Sequence, residues 1–308
     1  MRLEGIHHVT AITGDAPGNV EFYAGVLGLR LVKKTVNQDD PTVYHLFYAD
    51  ERGSAGSDIT FFEYPGARRG RAGAGMVHRV VFRVGSEDAL DFWEEERLRG
   101  SGVDVSRSPG SLVFSDPEGL GLELTVVETG DEPLTADHPE IPPEHRIQGF
   151  DRVRAYTRDP EASTKFLEGG LEFTKSGESG FEARGDQRGG LYVYDRSDEP
   201  GIPGAGTVHH VAWASTQEEH EDWRKRVIEA GGSPTPVIER FYFRSIYFRE
   251  PSGVLFEIAT LGPGFTTDEP LEHLGERLSL PPDFEHLREQ VEPVLTPLPN
   301  PRESWAAR

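Results

Sequence analysis

The pair His7-His8 recurs as His209-His210, and each pair opens a short strand-like run. The runs are Gly5-Ile6-His7-His8-Val9-Thr10 and Thr207-Val208-His209-His210-Val211-Ala212. Side chains alternate faces along a strand, which predicts one inward and one outward histidine in each pair. Two inward imidazoles from equivalent strands, joined by one carboxylate, make the ligand set of a non-haem iron site.

The elements that must position these groups repeat as well. Four related starts run along the chain: Gly5-Ile6-His7-His8-Val9, Met76-Val77-His78-Arg79-Val80, Gly149-Phe150-Asp151-Arg152-Val153 and Thr207-Val208-His209-His210-Val211. Each leads into a helix-like segment. Val20, Tyr23 and Leu27 fall at helical spacing in the first, and Trp223, Val227 and Ala230 in the last. Ser215 and Glu218 form a capping-box pattern before that last helix. Gly28, Gly100, Gly170 and Gly231-Gly232 stop the helices. Three short apolar runs follow in each copy; in the first they are Leu29 to Val36, Thr42 to Ala49 and Ile59 to Phe62.

The second and fourth copies close alike, with Ser115-Asp116-Pro117-Glu118-Gly119 against Arg249-Glu250-Pro251-Ser252-Gly253. A glutamate follows four residues after each glycine, Glu123 and Glu257. The expected fold class is therefore α+β, with four βαβββ modules forming two barrel-like cups. Residues 1–130 read as an N-terminal domain of two modules (about 3–66 and 75–128). Residues 131–147 read as a linker that overlaps the acidic, proline-rich stretch Glu128 to Pro143. Residues 148–262 read as a C-terminal domain of two modules (about 148–197 and 205–262), and 263–308 as a tail with a helix around Glu285 to Val294.

Composition narrows the function classes. The chain has 308 residues, enough for one large or two ordinary domains, and a net charge of -21 from 53 acidic and 32 basic residues. That charge argues against nucleic acid or an anionic membrane as a partner. Cysteine is absent, which excludes disulfides, thiolate ligands and a cysteine nucleophile. No apolar run approaches a membrane span, and no basic, apolar leader precedes the first strand pattern, so a cytoplasmic location is expected.

The βαβββ repeat resembles the vicinal oxygen chelate superfamily, which includes glyoxalase I, bleomycin-resistance proteins and extradiol dioxygenases. Three stretches sharpen the resemblance to the ring-cleaving hydroquinone dioxygenases: Val32 to Asn37 with Asp40-Pro41, Tyr44 to Asp50, and Leu261 to Glu269. Glu63-Tyr64 departs from that pattern. The resemblance implies that two modules close into one cup around a metal. The position of His8 and His210 holds Arg79 and Arg152 in the middle copies, and a guanidinium cannot ligate a metal. The outer copies are thus expected to supply His8, His210 and Glu257 to one ion per chain. The middle copies are expected to form a vacant cup in which Glu123 pairs with Arg79 or Arg152.

By the same resemblance Tyr247, Arg240, His209, His7 and Thr10 belong to the active site, while His45 and His78 read as structural. Tyr247 and His209 are candidate acid-base groups, and Arg240 would hold anionic oxygen. The implied activity is an Fe(II)-dependent dioxygenase acting on a hydroquinone-type diol and O2, in a homo-oligomer. Mn(II) suits the same ligands. Were Glu63 to point inward, two histidines and two glutamates would give the glyoxalase I arrangement and a metal-dependent isomerase or lyase. A metal-free binding cup of the bleomycin-resistance type has no use for the outer histidines and Glu257.

Overall fold

The computed structural model describes residues 1–306 and contains the four modules. The first has strands β1 (Ile6–Thr13), β2 (Arg30–Asn37), β3 (Asp40–Ala49) and β4 (Asp58–Glu63). The second has β5 (Met76–Val84), β6 (Ser106–Ser108), β7 (Ser111–Ser115) and β8 (Gly121–Val126). The third has β9 (Phe150–Thr157), β10 (Thr174–Ser176), β11 (Gly180–Arg184) and β12 (Gly189–Arg196). The fourth has β13 (Val208–Ser215), β14 (Ile238–Glu239), β15 (Arg244–Arg249) and β16 (Leu255–Thr260). A helical segment follows the first strand of every module. Local chemistry starts two of them: Asp15 accepts from the Gly18 amide and Ser86 from the Ala89 amide, capping otherwise orphaned donors. The fourth helix departs from expectation. It begins at His220, and Ser215 spends its hydroxyl on the His220 ring and the Ala259 carbonyl, so no Ser215–Glu218 capping box forms.

Two eight-stranded sheets result, in the orders β14-β15-β16-β13-β1-β4-β3-β2 and β10-β11-β12-β9-β5-β8-β7-β6. Each sheet joins a module from residues 1–130 to one from 148–262: the first pairs with the fourth, and the second with the third. The joints are the antiparallel pairs β1–β13 and β5–β9. The 1–130 and 148–262 division thus follows the order of repeats along the chain, while the sheets form across it.

Both joints carry two bulges. Ile6 pairs with Trp213 and His8 with Ala212, leaving His7 as an extra residue; Thr10 pairs with His210 and Ala11 with Val208, leaving His209 as another. The second sheet repeats this at His78 and Asp151. A bulge interrupts strict alternation. This corrects the expectation that the two histidines of a pair face opposite ways: the Nδ1 atoms of His7 and His8 are 2.9 Å apart, and those of His209 and His210 2.8 Å.

Away from the bulges alternation holds and separates two environments. Val9, Ala11, Tyr44, Leu46, Tyr48, Ile59 and Phe61 join the main core under the helices. Phe47, Ala212, Phe243 and Phe265 cluster on the other side, inside the cup. The tail closes one end, bridging Lys34 to Leu278 and turning through Pro282–Leu287 and Arg288–Val291 where a single helix was expected.

Lys33 anchors the tail. Its ammonium is fully buried, ion-paired with Asp268 (2.8 Å) and Glu269, and also donates to the Phe265 carbonyl. Glu269 is itself buried, so removing the lysine strands a carboxylate out of water. Lys33→Met is expected to lower unfolding free energy by about 3–5 kcal/mol in urea titrations. A second change, Glu269→Gln, should recover part of that loss. A change in Lys33→Met below about 1 kcal/mol would assign the tail no share in holding the cup.

Candidate metal centre and cavity

His8 on β1, His210 on β13 and Glu257 on β16 converge inside the first sheet, all buried. Ala212 pairs with His8 on one side and Glu257 on the other, so a methyl group separates the two ligand candidates. His8 Nε2 lies 3.2 Å from both His210 Nε2 and Glu257 Oε2, and His210 Nε2 lies 2.9 Å from Oε2. Bonds of about 2.1 Å at roughly right angles place ligand atoms about 3 Å apart, so these atoms suit one face of an octahedral ion. Oε2 is buried and makes no hydrogen bond of good geometry, although Oε1 accepts from Ser245. An orphaned carboxylate oxygen between two imidazoles costs about 1–3 kcal/mol, which a cation would offset. Among the described residues this is the one such group of three ligand side chains.

The neighbouring histidines set the tautomers. If Nε2 of His8 keeps its lone pair for a cation, its proton sits on Nδ1 and is donated to Nδ1 of His7. His7 then carries its proton on Nε2 and donates it to the Thr260 carbonyl at 3.2 Å. By the same logic His210 donates to His209, whose remaining N–H faces outward beside Phe62. Burial, reinforced by His8, pushes the His7 pKa down to about 3; burial and His210 push that of His209 down to about 4. Burial also lowers His210, against the pull of Glu257. Burial opposes ionisation of Glu257, but His8 and His210 outweigh it and hold its carboxyl well below the usual range. These shifts favour neutral imidazole at His7, His209 and His210 and carboxylate at Glu257, the forms that bind metals.

The group opens into a cavity of about 430 Å³, mouth included, with Phe47, Phe62, Phe243 and Tyr242 among its walls. Tyr247 pairs with Glu257 across β15–β16 and its ring centroid lies 5.7 Å from that of His210. Burial and then Glu257 raise its pKa, so the phenol keeps its proton. Arg240 lies over the Tyr247 ring, but its two terminal nitrogens are committed to Asp39 at 3.0 and 2.9 Å. Gln38 also donates to the Arg240 carbonyl, so the β2–β3 turn and the segment before β15 meet at the mouth. Thr10 is fully buried and does not line the cavity; its hydroxyl lies 2.8 Å from that of Thr60.

Glu63, His45, His78 and Glu123 each take a definite place. Glu63 lies on the helix side of β4, accepting from Thr296 at 2.8 Å, and is outside the metal group. Phe62, next to it, takes the cavity face. His45 and His78 both have partners: His45 lines the cavity and bonds Thr60, while His78 bonds Asp195 at 2.7 Å and stacks on Tyr156. Glu123 pairs with Arg79 at 3.0 Å, and Arg152 turns instead to Asp151. Sequence reasoning missed Ala212, Phe243, Ser245 and Asp39, none of which carries a repeat signal.

Comparison with known proteins places this architecture. The family model described as the Glyoxalase/Bleomycin resistance protein/Dioxygenase superfamily matches residues 5–124 and 149–258. The chain belongs to that superfamily. Its full-length relatives are ring-cleaving dioxygenases by name, which supports a dioxygenase. MhqO of Bacillus subtilis, provisionally named a ring-cleaving dioxygenase, is 42% identical over 95% of this chain and 96% of its own. Chlorohydroquinone/hydroquinone 1,2-dioxygenase of Sphingobium indicum is 33% identical, covering 94% of this chain and 95% of its own. A crystal structure from Bacillus subtilis, provisionally titled a dioxygenase, superposes with a TM-score of 0.90 at 40% identity over 97% of this chain and 98% of its own. Glyoxalase I from Zea mays shares the fold (TM-score 0.58, 18% identity, covering 83% of this chain and 92% of its own).

The buried histidines make metal-free stability depend on pH. The folded pKa values of His7, His209 and His210 lie below the ordinary 6.5, so the unfolded chain binds more protons between the two values, and stability falls as pH drops through that window. For chelator-treated protein, His7 should contribute a loss of about 1.4 kcal/mol per pH unit from about pH 6.5 towards 3. Urea midpoints of wild type and His7→Gln at pH 7 and 5 test this. Identical pH slopes in both proteins would exclude a neutral, proton-refusing His7.

Proposed function

We propose that the protein is an Fe(II)-dependent dioxygenase that opens the ring of a hydroquinone-type diol, with His8, His210 and Glu257 as the metal ligands. The observation that carries this reading is a His-His-Glu group with ligand atoms about 3 Å apart on the floor of an aromatic-walled cavity. The full-length likeness to hydroquinone dioxygenase supports the substrate class. Fe(II) held by these three residues would supply the redox chemistry that lets O2 react with a phenolate. Both oxygen atoms enter the product as a ring C–C bond beside a hydroxyl breaks, so no external reductant is needed.

The chain's own residues supply the rest. His7 and His209 hold the ligand imidazoles by their Nδ1 protons, which fixes ring orientation and basicity. Tyr247, a cavity-wall phenol that keeps its proton beside Glu257, would move the protons of the substrate hydroxyls, and His209, whose N–H lies outside the cavity lining, would relay them towards solvent. Arg240 acts on Tyr247 from across its ring and brings positive charge to the mouth, shared with Asp39. Phe47, Phe62 and Phe243 grip a flat ring and exclude water. A glyoxalase-like metal set would need Glu63, which lies on the opposite face of β4.

Iron-loaded protein in an oxygen electrode should consume O2 on addition of hydroquinone, and a chelator should abolish the uptake. Elemental analysis should find one metal per chain. His8→Ala, His210→Ala and Glu257→Ala should each lose most of it, whereas Glu63→Gln should retain it. Two tightly bound ions per chain, or metal loss in Glu63→Gln, would contradict the ligand assignment. Tyr247→Phe should keep its metal but turn over roughly a hundredfold more slowly. Wild-type rates in that variant would remove the phenol from the proton path.

A further inference from the structure

A ring with oxygen at both ends needs recognition at the end remote from the metal. The wall facing the ligand cluster carries two polar groups with unused capacity. Thr35 on β2 is 2% exposed and lines the cavity, yet its Oγ1 has no hydrogen-bond partner among the described residues. A buried hydroxyl left in this state costs about 1–3 kcal/mol. His45 is its direct cross-strand neighbour on β3, so the two side chains stand together on the same face. The His45 ring is clamped between Phe47 and Phe62, with centroid distances of 3.9 and 4.4 Å. Its Nε2 is engaged with Thr60 Oγ1 at 2.8 Å, and Thr60 with Thr10, also at 2.8 Å. Its Nδ1 makes no hydrogen bond among the described residues.

We propose that Thr35 Oγ1 and His45 Nδ1 form a subsite for the second hydroxyl of a para-diol, and so select 1,4-dihydroxy rings over rings bearing one hydroxyl. This deepens the ring-cleaving reading and rests on it. The chemistry is complementary. With its proton on Nε2 towards Thr60, His45 offers Nδ1 as an acceptor, while the Thr35 hydroxyl donates. A substrate hydroxyl both donates and accepts, so it satisfies the pair, whereas a ring hydrogen satisfies neither. The distance also suits. In the order β1-β4-β3-β2, His45 and Thr35 stand two and three strands from His8 and, level with Phe62 and Ile12, four residues further along. Inward side chains shorten that gap to one that a ring with two oxygens can bridge. Phe62 marks the path, its centroid lying 6.5 Å from that of His210 and 4.4 Å from that of His45. The Thr10–Thr60 pair holds the His45 tautomer from behind, which gives Thr10 a positioning role.

The test is anaerobic calorimetry on metal-loaded protein with hydroquinone and with phenol, beside oxygen-electrode KM and kcat values for hydroquinone. Thr35→Val keeps the shape and removes the hydroxyl; His45→Phe keeps a ring and removes its nitrogens. Each should weaken hydroquinone binding about tenfold and raise KM accordingly, with phenol affinity unchanged. Thr35→Ser, which restores the hydroxyl, should recover binding, and melting temperatures identify any variant that fails to fold. Equal weakening of both ligands, or no change in either, would overturn the subsite while wild-type oxygen uptake leaves the ring-cleaving reading standing. A wild-type protein that neither binds hydroquinone nor consumes O2 with it would overturn both.

Discussion

The arrangement depends on the antiparallel joint between β1 and β13, and above all on its two bulges. A regular ladder would send His7 and His209 to the far face, away from the ligand candidates. The extra residue on each strand brings both histidines of a pair to one side, so each inner imidazole meets a hydrogen-bond partner at its Nδ1. The joint also brings residues from the two ends of the chain to one point, with Thr10 pairing with His210 and His8 with Ala212. Glu257 then enters through the parallel neighbour β16, one strand further on. Three candidate ligand groups on three adjacent strands need no loop to hold them, so the geometry is as stiff as the sheet.

The second joint uses the same backbone for a different purpose. His78 and Asp151 are its bulge residues, and the positions of His8 and His210 hold Arg79 and Arg152. Where the first cup has an orphaned carboxylate oxygen, here Glu123 is paired with Arg79, and Asp195 takes both His78 and Arg154. Equivalent carboxylates therefore meet imidazoles in one cup and guanidinium in the other. The difference is chemical and not topological: a permanent cation at Arg79 takes up the carboxylate lone pairs that a metal would need.

Much of this was legible in the sequence. The four starts, their helical spacing and the recurring Pro-x-Gly turns before Glu123 and Glu257 gave the modules. The arginine replacements separated the outer copies from the inner. What could not be read was any feature set by strand register. His7 and His209 reached the right side through bulges, which leave no trace in an alternation pattern. Glu63 could be placed on the helix side only once Phe62 was seen to take the cavity face. The pairing of Arg240 with Asp39 could not be read because the two lie about two hundred residues apart in sequence. His45 appeared structural because its neighbours Thr60 and Thr35 come from two other strands.

The tail belongs to the same physical scheme. Tyr242, a cavity wall, donates its hydroxyl to Asp268, and its ring lies 4.9 Å from the buried Lys33 ammonium that binds the same carboxylate. Phe265 packs between Phe47 and Tyr242, joining tail and inner face. Without the tail, the inner side of β2 would place an ammonium and an aromatic wall against solvent, where neither is held in one rotamer. A buried ion pair of this kind adds little net stability against an apolar substitute, but it fixes register. Lys33 stands two residues before Thr35 on the same strand, so fixing the tail on Lys33 also fixes where the Thr35 hydroxyl points.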